Sequence, residues 1–308
     1  MAAIRLSLTS VLPAAAAAAT GILVGAAIVA TRFVIAQTAP ASLALLRYVI
    51  GSCCLLPPVL MSARVRFERR DLLPIGLLGI TQFGILIALL NYALQFIPSA
   101  RAALIFATSP LLTMLLAAAL GHERFTLAKT LGVLLTIVGV GFALGEKAVQ
   151  GGGAGNGWVG ELAAFASALS GAICSVLYRP YLRKYPTLQV SAYAMLASVG
   201  FLAMLAAGEG FFGALPRFTA IGWLAVLFIG ASSGVGYFLW LWALGHTTPT
   251  RVTVFLALSP VTAAGLGVLL LAEKISTMSL LGLACVALGL WLAHWQAPAD
   301  RAAARVRL

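Results

Sequence analysis

Two side-chain amides, Gln82 and Asn91, stand inside the run 72–96, which is otherwise almost wholly apolar. Amides do not titrate near neutrality and are not nucleophiles. Their chemistry is hydrogen bonding, to a bound molecule or to a neighbouring helix. A second set is Ser233, Tyr237 and Trp240, spaced i, i+4 and i+7 and therefore on one face of a helix, either as cavity lining or as packing. Tyr92 occupies the position that matches Trp242 at a shift of 150. Arg47 lies about seven residues into the run 40–61. There it either attracts a carboxylate or plays a structural part, snorkelling or bonding carbonyls near the end of the run. Glu161 is the one acidic residue that enters an apolar run, by about one turn, and is the candidate for ion coupling.

These residues do not add up to a catalytic set. His122, His246 and His294 sit at the ends of apolar runs with no repeated acidic partner, and no Asp-rich loop for metal–phosphate chemistry is present. Cys53, Cys54, Cys174 and Cys285 show no metal-ligand spacing and read as small apolar filler. There is no Gly-Lys-Ser/Thr loop for a nucleotide and no filter-like loop or charged ring for a channel. Catalytic residues, metal and cofactors are all expected to be none, and a membrane enzyme is the distant alternative.

The elements that hold these residues are set by composition. Of 308 residues, 62% are hydrophobic and 9% charged, with a mean hydropathy of +1.04. A soluble domain carries about 25% charged residues. So few charges cannot cover a water-facing surface, and the expected partner is the lipid bilayer. The net charge of +12 sits in short clusters between apolar runs, which argues against a nucleic-acid face.

Ten runs are long enough to span a membrane: 12–31, 40–61, 72–96, 100–121, 126–145, 157–178, 187–207, 218–244, 249–271 and 276–296. Uninterrupted apolar runs without alternation predict helices and not a barrel. The first run is read as part of the fold and not as a cleaved signal, because it has a counterpart later in the chain. With the N-terminus inside, the cytoplasmic segments carry fourteen Lys and Arg against five outside, a bias that puts both termini in the cytoplasm. The expected setting is a bacterial inner membrane, multi-pass.

The chain repeats itself. RAALIFATSP at 101–110 and RVTVFLALSP at 251–260 both begin with Arg and end in Ser-Pro. Comparing 91–141 with 241–291, twelve of 51 positions are identical, including Arg101, Ser109, Pro110, Glu123, Gly132 and Gly139. Alanine and leucine matches are cheap here; these are not. Each half holds five runs, an odd number, so the second half enters the membrane with opposite polarity. Inverted repeats of this kind mark secondary transporters that work by alternating access. Pro110 and Pro260 are expected to bend the fourth and ninth spans and to free the carbonyls of Phe106 and Leu256 toward a cavity. Ser109 and Ser259 precede the kinks and either satisfy freed backbone or touch substrate. Close glycines such as Gly230, Gly234 and Gly236 read as packing, with a hinge or gating role as the alternative. The expected architecture is all-α: residues 1–149 as the first five-helix repeat, 150–157 a Gly-rich linker, 158–296 the second repeat and 297–308 a cytoplasmic tail. A monomer suffices, since both halves are present.

LALLRYV at 43–49, YALQFIPSARAALIFATSPLLTMLLAAALGHERF at 92–125 and LWALGHTTPTRVTVFLALSPVTAAGLGVLLLAEKIS at 241–276 resemble the drug/metabolite transporter superfamily, in its ten-helix branch built from two EamA-type repeats. Within it the chain looks most like YddG-like amino-acid exporters. The resemblance implies a central cavity lined by helices 1, 3, 4, 6, 8 and 9 and export of small organic metabolites, most often amino acids; drugs or organic cations are the alternative. Family members often carry Trp in the first and sixth spans, where this chain has Val24 and Gly171. The residues themselves suggest a pocket of amide, hydroxyl and aromatic groups without buried charge, suited to a zwitterion, a neutral molecule or a hydrophobic cation.

Overall fold

Pro40 opens a helix at the position where its missing N–H costs nothing, and the same punctuation recurs along the chain. The computed structural model describes residues 2–62, 65–121, 157–214, 216–247, 252–272 and 277–294, with scattered positions between 131 and 142. Span one is α1 (Ala2–Val34), continued by a 3-10 turn at Ile35–Gln37. Span two is α2 (Pro40–Met61). Span three runs as α3 (Arg69–Gly79), a π-helical turn at Ile80–Ile85, and α4 (Leu86–Phe96). Span four is α5 (Ser99–Phe106) and α6 (Ser109–Ala119). Span six is α7 (Gly157–Leu177), followed by the short α8 (Arg179–Lys184). Spans seven and eight are α9 (Thr187–Gly208) and α10 (Ala220–His246). Span nine is a 3-10 turn at Val254–Ala257 leading into α11 (Leu258–Leu271), and span ten is α12 (Thr277–His294).

Spans one to four and six to eight are each long and apolar enough to cross a bilayer, and the ninth and tenth are represented by shorter apolar helices. Large apolar side chains such as Leu60, Leu73, Met204, Leu224 and Leu269 are exposed on the outside of the bundle. In lipid that is the favourable arrangement. The fifth span falls mainly outside the described residues, as do the 150–157 linker, the 297–308 tail and the Glu123-Arg124 and Glu273-Lys274 pairs.

The halves do not sit side by side as two bundles. They interleave, and their contacts obey an exchange rule. Span one packs on span eight, and span six packs on span three. Span one packs on span nine, and span six on span four; span two packs on span eight, and span seven on span three. The pairs two–seven and four–nine map onto themselves. Adding or subtracting five from each number converts one list into the other, as a twofold axis relating the repeats requires.

Small residues permit the tightest of these crossings. A Cβ on Gly21 would lie 2.1 Å from the Phe255 carbonyl oxygen, and one on Gly25 2.4 Å from that of Ser259. Gly234 would place a Cβ 2.8 Å from the Gly51 carbonyl oxygen. Gly234 therefore serves the α2–α10 contact, inside a helix that continues through it.

The prolines do more than kink. Span four ends α5 at Phe106, turns through Ala107 and Thr108, and restarts with Pro110 in the first turn of α6. Span nine passes through the Val254–Ala257 turn before α11, where Pro260 again lies in the first turn. Each Ser-Pro thus opens a new helical segment at an equivalent place in its repeat.

Candidate functional site

Midway along the bundle the broken and bulged spans surround a cavity. About 60 Å³ of it is open to the centre of a water-sized sphere, room for several waters or a small organic molecule. Its wall draws on spans one, two, three, four, six, eight and nine, so both repeats contribute. The described residues thus add span two to the six helices that the resemblance implied.

Ser233, Tyr237 and Trp240 share one face of α10, and that face lines the cavity, joined by Ser232. Gln82 faces them from the π-helical turn. Its Nε2 donates to Tyr237 Oη at 2.5 Å, and its Oε1 has no hydrogen-bond partner. π-turns within helices occur frequently at functional sites, and this one carries the one amide among the described lining residues. Phe83, the next residue, stacks 4.1 Å from Tyr237 and 5.1 Å from Tyr48, ring centre to ring centre. These three rings and Tyr178 belong to the large core cluster packed beside the cavity.

Ser109 lines the cavity while donating to the Ala168 carbonyl on span six at 3.1 Å. Phe106 and Leu256, the residues four before the prolines, line it too. Ser259 is fully buried, lies outside the lining, and has an Oγ without partner. Val24 and Gly171, where the resemblance led to an expectation of Trp, both border the cavity. Its aromatic surface comes instead from Phe106, Tyr237 and Trp240.

Two expected cavity residues lie elsewhere. Asn91 is 1% exposed and donates from Nδ2 to the Pro40 carbonyl at 2.9 Å, tying span three to the start of span two. Tyr92, one residue on, points outward: it is 39% exposed with its ring against Phe96. A helix turns 100° per residue, so neither shares the face of Gln82 that meets the cavity.

Arg47 corrects the expectation of a pocket without buried charge. It does not snorkel. It is 7% exposed, lines the cavity, and donates from Nε to Ser233 Oγ at 2.5 Å. Its guanidinium carbon lies 5.7 Å from the centre of the Tyr48 ring. A charged Arg at mid-helix depth in a membrane costs about 2.5–3.5 kcal/mol on insertion scales. Among the described residues that line the cavity none is acidic, a histidine or a cysteine. Among the described residues no cluster of His, Cys, Asp and Glu could hold a metal ion.

Sequence reasoning missed Thr20, Ser175 and Ser232, which also line the cavity. The signal existed. Thr20 is four residues before Val24 and Ser175 four after Gly171, which places each on the same helix face as a position already singled out. Thr20 Oγ1 lies 2.9 Å from the Ala16 carbonyl and 3.2 Å from that of Gly236.

The two ends of the bundle carry polar ties between the repeats. At the 62–69 end, Lys184 Nζ lies 2.5 Å from Glu68 Oε1 and 2.7 Å from Asp71 Oδ2. Tyr185 Oη donates to Asp71 Oδ2 at 2.6 Å and accepts from the Glu68 N–H at 3.1 Å. Gln189 Nε2 donates to Ser62 Oγ at 2.8 Å. The hydrogen bond from Lys184, ahead of the Arg70 contact, holds the Glu68 carboxyl below its ordinary range. At the 35–39 end, Glu209 accepts from the N–H groups of Ala41 (2.9 Å) and Ser42 (2.7 Å) and from Ser42 Oγ (2.8 Å). Gln37 Oε1 accepts from the Thr219 N–H at 3.1 Å, and within the first repeat Arg32 donates to the Leu94 carbonyl. Glu161 lies near this end, 3.6 Å from Arg101 Nη1, and does not line the cavity.

The sequence matches the EamA-like transporter family over residues 12–145 and again over 158–295. It is 30% identical to a "probable terminal-alkyne amino-acid exporter" of Streptantibioticus cattleyicolor, over 70% of this chain and 71% of that one. It is 25% identical to an uncharacterized transporter of Archaeoglobus fulgidus, over 87% and 93%, and 24% identical to the uncharacterized transporter YoaV of Bacillus subtilis, over 70% and 72%. A solved crystal structure superposes with a TM-score of 0.69 at 24% identity, covering 96% of this chain and 99% of that one.

Proposed function

The chain belongs to the EamA-like transporter family, a multi-pass transporter and not an enzyme, and from that premise we propose that it exports amino acids through the central cavity by alternating access. The observation that carries the reading is the cavity's place. It lies where the two interleaved repeats meet, at the level of the Ser-Pro breaks, and is walled by both halves. Transporters built on inverted repeats bind substrate at that junction, on discontinuous helices. The name of the Streptantibioticus relative, an amino-acid exporter, supports the substrate class. Amides and hydroxyls beside apolar walls suit a molecule with a small polar head and an apolar body. The substrate-binding groups are Gln82, Ser109, Tyr237 and Trp240, with Ser233 beside them in the wall holding Arg47. Organic cations are the weaker reading, because Arg47 would repel them.

Among the described residues no carboxylate lines the cavity, and Glu161 stands apart beside Arg101, which supports transport by exchange or without coupling. The functional unit is a monomer of two repeats, 1–149 and 158–296, in the bacterial inner membrane with both termini cytoplasmic. On that topology the 35–39 end faces outward.

Counterflow in proteoliposomes tests the proposal. Vesicles loaded with unlabelled amino acids should accumulate a subset of single labelled amino acids, and Gln82→Ala and Trp240→Ala should each lower uptake several-fold while Asn91→Ala acts through stability alone. Folded protein that moves none of the twenty would overturn the amino-acid reading. Glu161→Gln should keep full activity across pH; a loss would restore coupling through that carboxylate.

A further inference from the structure

We propose that Arg47 is the anchor that receives the carboxylate of the transported molecule, a role that rests on the cavity being the substrate site. The inference starts from what the guanidinium lacks. Of its five N–H bonds, the Nε–H goes to Ser233 Oγ. That hydroxyl lies 2.6 Å from the Ile229 carbonyl, to which it donates, so Ser233 meets Arg47 with a lone pair and no charge. Tyr48 offers the face of a ring. The ion pairs among the described residues lie at the two ends of the bundle, and none involves Arg47. A cation 93% buried in a membrane protein without a counter-ion is costly, and the group that relieves it is an anion.

The remaining four N–H bonds form the planar edge that pairs two-to-two with carboxylate or phosphate oxygens. Charge decides between them. Among the described lining residues Arg47 is the one cation, which balances the single charge of a carboxylate and not the nearly double charge of a phosphate monoester. The Ser233 bond fixes the fork in place, so Ser233 is a positioning residue. Leu23, Val24, Ile28 and Leu256 give the cavity an apolar wall, and the substrate class becomes amino acids and related carboxylates with apolar side chains. An amine of the same shape that lacks the carboxylate is excluded twice, by the missing bond and by repulsion from Arg47.

The test is calorimetric titration of the full-length protein in lipid nanodiscs with L-leucine, isovalerate and isoamylamine. These share an isobutyl chain and differ in which charged groups they carry. Leucine and isovalerate should bind, and isoamylamine should bind at least about tenfold more weakly. Arg47→Gln should lower leucine affinity roughly 10- to 100-fold, the span expected for a lost charge-assisted pair. Isoamylamine binding as tightly as leucine overturns the anchor. So does an R47Q protein that binds leucine within about twofold of wild type. Should R47Q fail to fold, the wild-type series decides alone. Unchanged leucine counterflow in R47Q would remove the anchor and leave the exporter reading standing. A wild type that binds none of the three overturns the anchor, and the twenty-amino-acid counterflow panel then decides the exporter reading separately.

Discussion

At the 62–69 end the repeats are joined by one ammonium between two carboxylates, whereas at the 35–39 end one carboxylate grips the backbone at the start of a helix. The positions correspond. Ser62 with Gln189 at one end and Glu209 with Ala41 and Ser42 at the other both join the end of a repeat's second span to the start of the other repeat's second span. The chemistry does not correspond. Lys184 and Glu68 are water-facing side chains, 35% and 47% exposed, and such pairs contribute little and are weakened by salt. Glu209 instead satisfies two N–H groups that a helix terminus always leaves without partners, at the positive end of the helix dipole. Inverted repeats therefore share a fold without sharing a lock, and the two ends should open with different ease.

The largest effect is expected from Glu209→Ala. It removes a helix cap, costs about 1 kcal/mol, and should lower the thermal midpoint in detergent while leaving the 62–69 end closed. A variant with an unchanged midpoint would equate the two ends. Lys184→Met comes next. It leaves Asp71 without its ammonium partner and Glu68 with Arg70 alone, and should speed thiol labelling of a cysteine placed at Gln189, with a smaller drop in midpoint than Glu209→Ala. Raising salt from dilute buffer to about 1 M, where screening acts within roughly 3 Å, should speed labelling at Gln189 more than at a cysteine placed at Ser42. Acid gives the smallest effect. The folded Glu68 carboxyl titrates below its unfolded value, so its stabilising part is present above the unfolded pKa and lost as pH falls through the folded one. Labelling at Gln189, taken at each pH relative to the same cysteine in denatured protein so that the thiolate fraction cancels, should therefore rise on acidification below about pH 4 and stay flat above it; a rise centred near neutrality would point to another group.

Much of this was readable in the residues. The apolar runs gave the spans, and the fixed offset of Ser109-Pro110 and Ser259-Pro260 gave both the repeat and the breaks at the cavity. The spacing of Ser233, Tyr237 and Trp240 gave one wall, because helical period alone decides which side chains share a face. Gln82 and Asn91 show the limit. Both are amides in one apolar run, and helical period puts them on opposite faces, but it does not say which face meets the cavity: Gln82 does, while Asn91 bonds to Pro40. Nothing in the local sequence announces the π-helical turn at Ile80–Ile85 that carries Gln82. Arg47 was ambiguous for a related reason: depth along a helix is legible, but the direction in which a long side chain runs depends on what the neighbouring helix offers, here Ser233. Glu209 looked like a loop acid because its partner is backbone from 167 residues away.

The interleaving of the halves bears on how the chain is made. Span one rests on spans eight and nine, and span two on seven and eight, so the surfaces that receive them are translated last. At about 5–20 residues per second, the first repeat waits in the bilayer for roughly seven to thirty seconds before the faces of Gly21, Gly25 and Gly51 meet their partners. A gene cut at the Gly-rich linker should therefore yield working protein only when its two products are synthesised in the same cell at the same time.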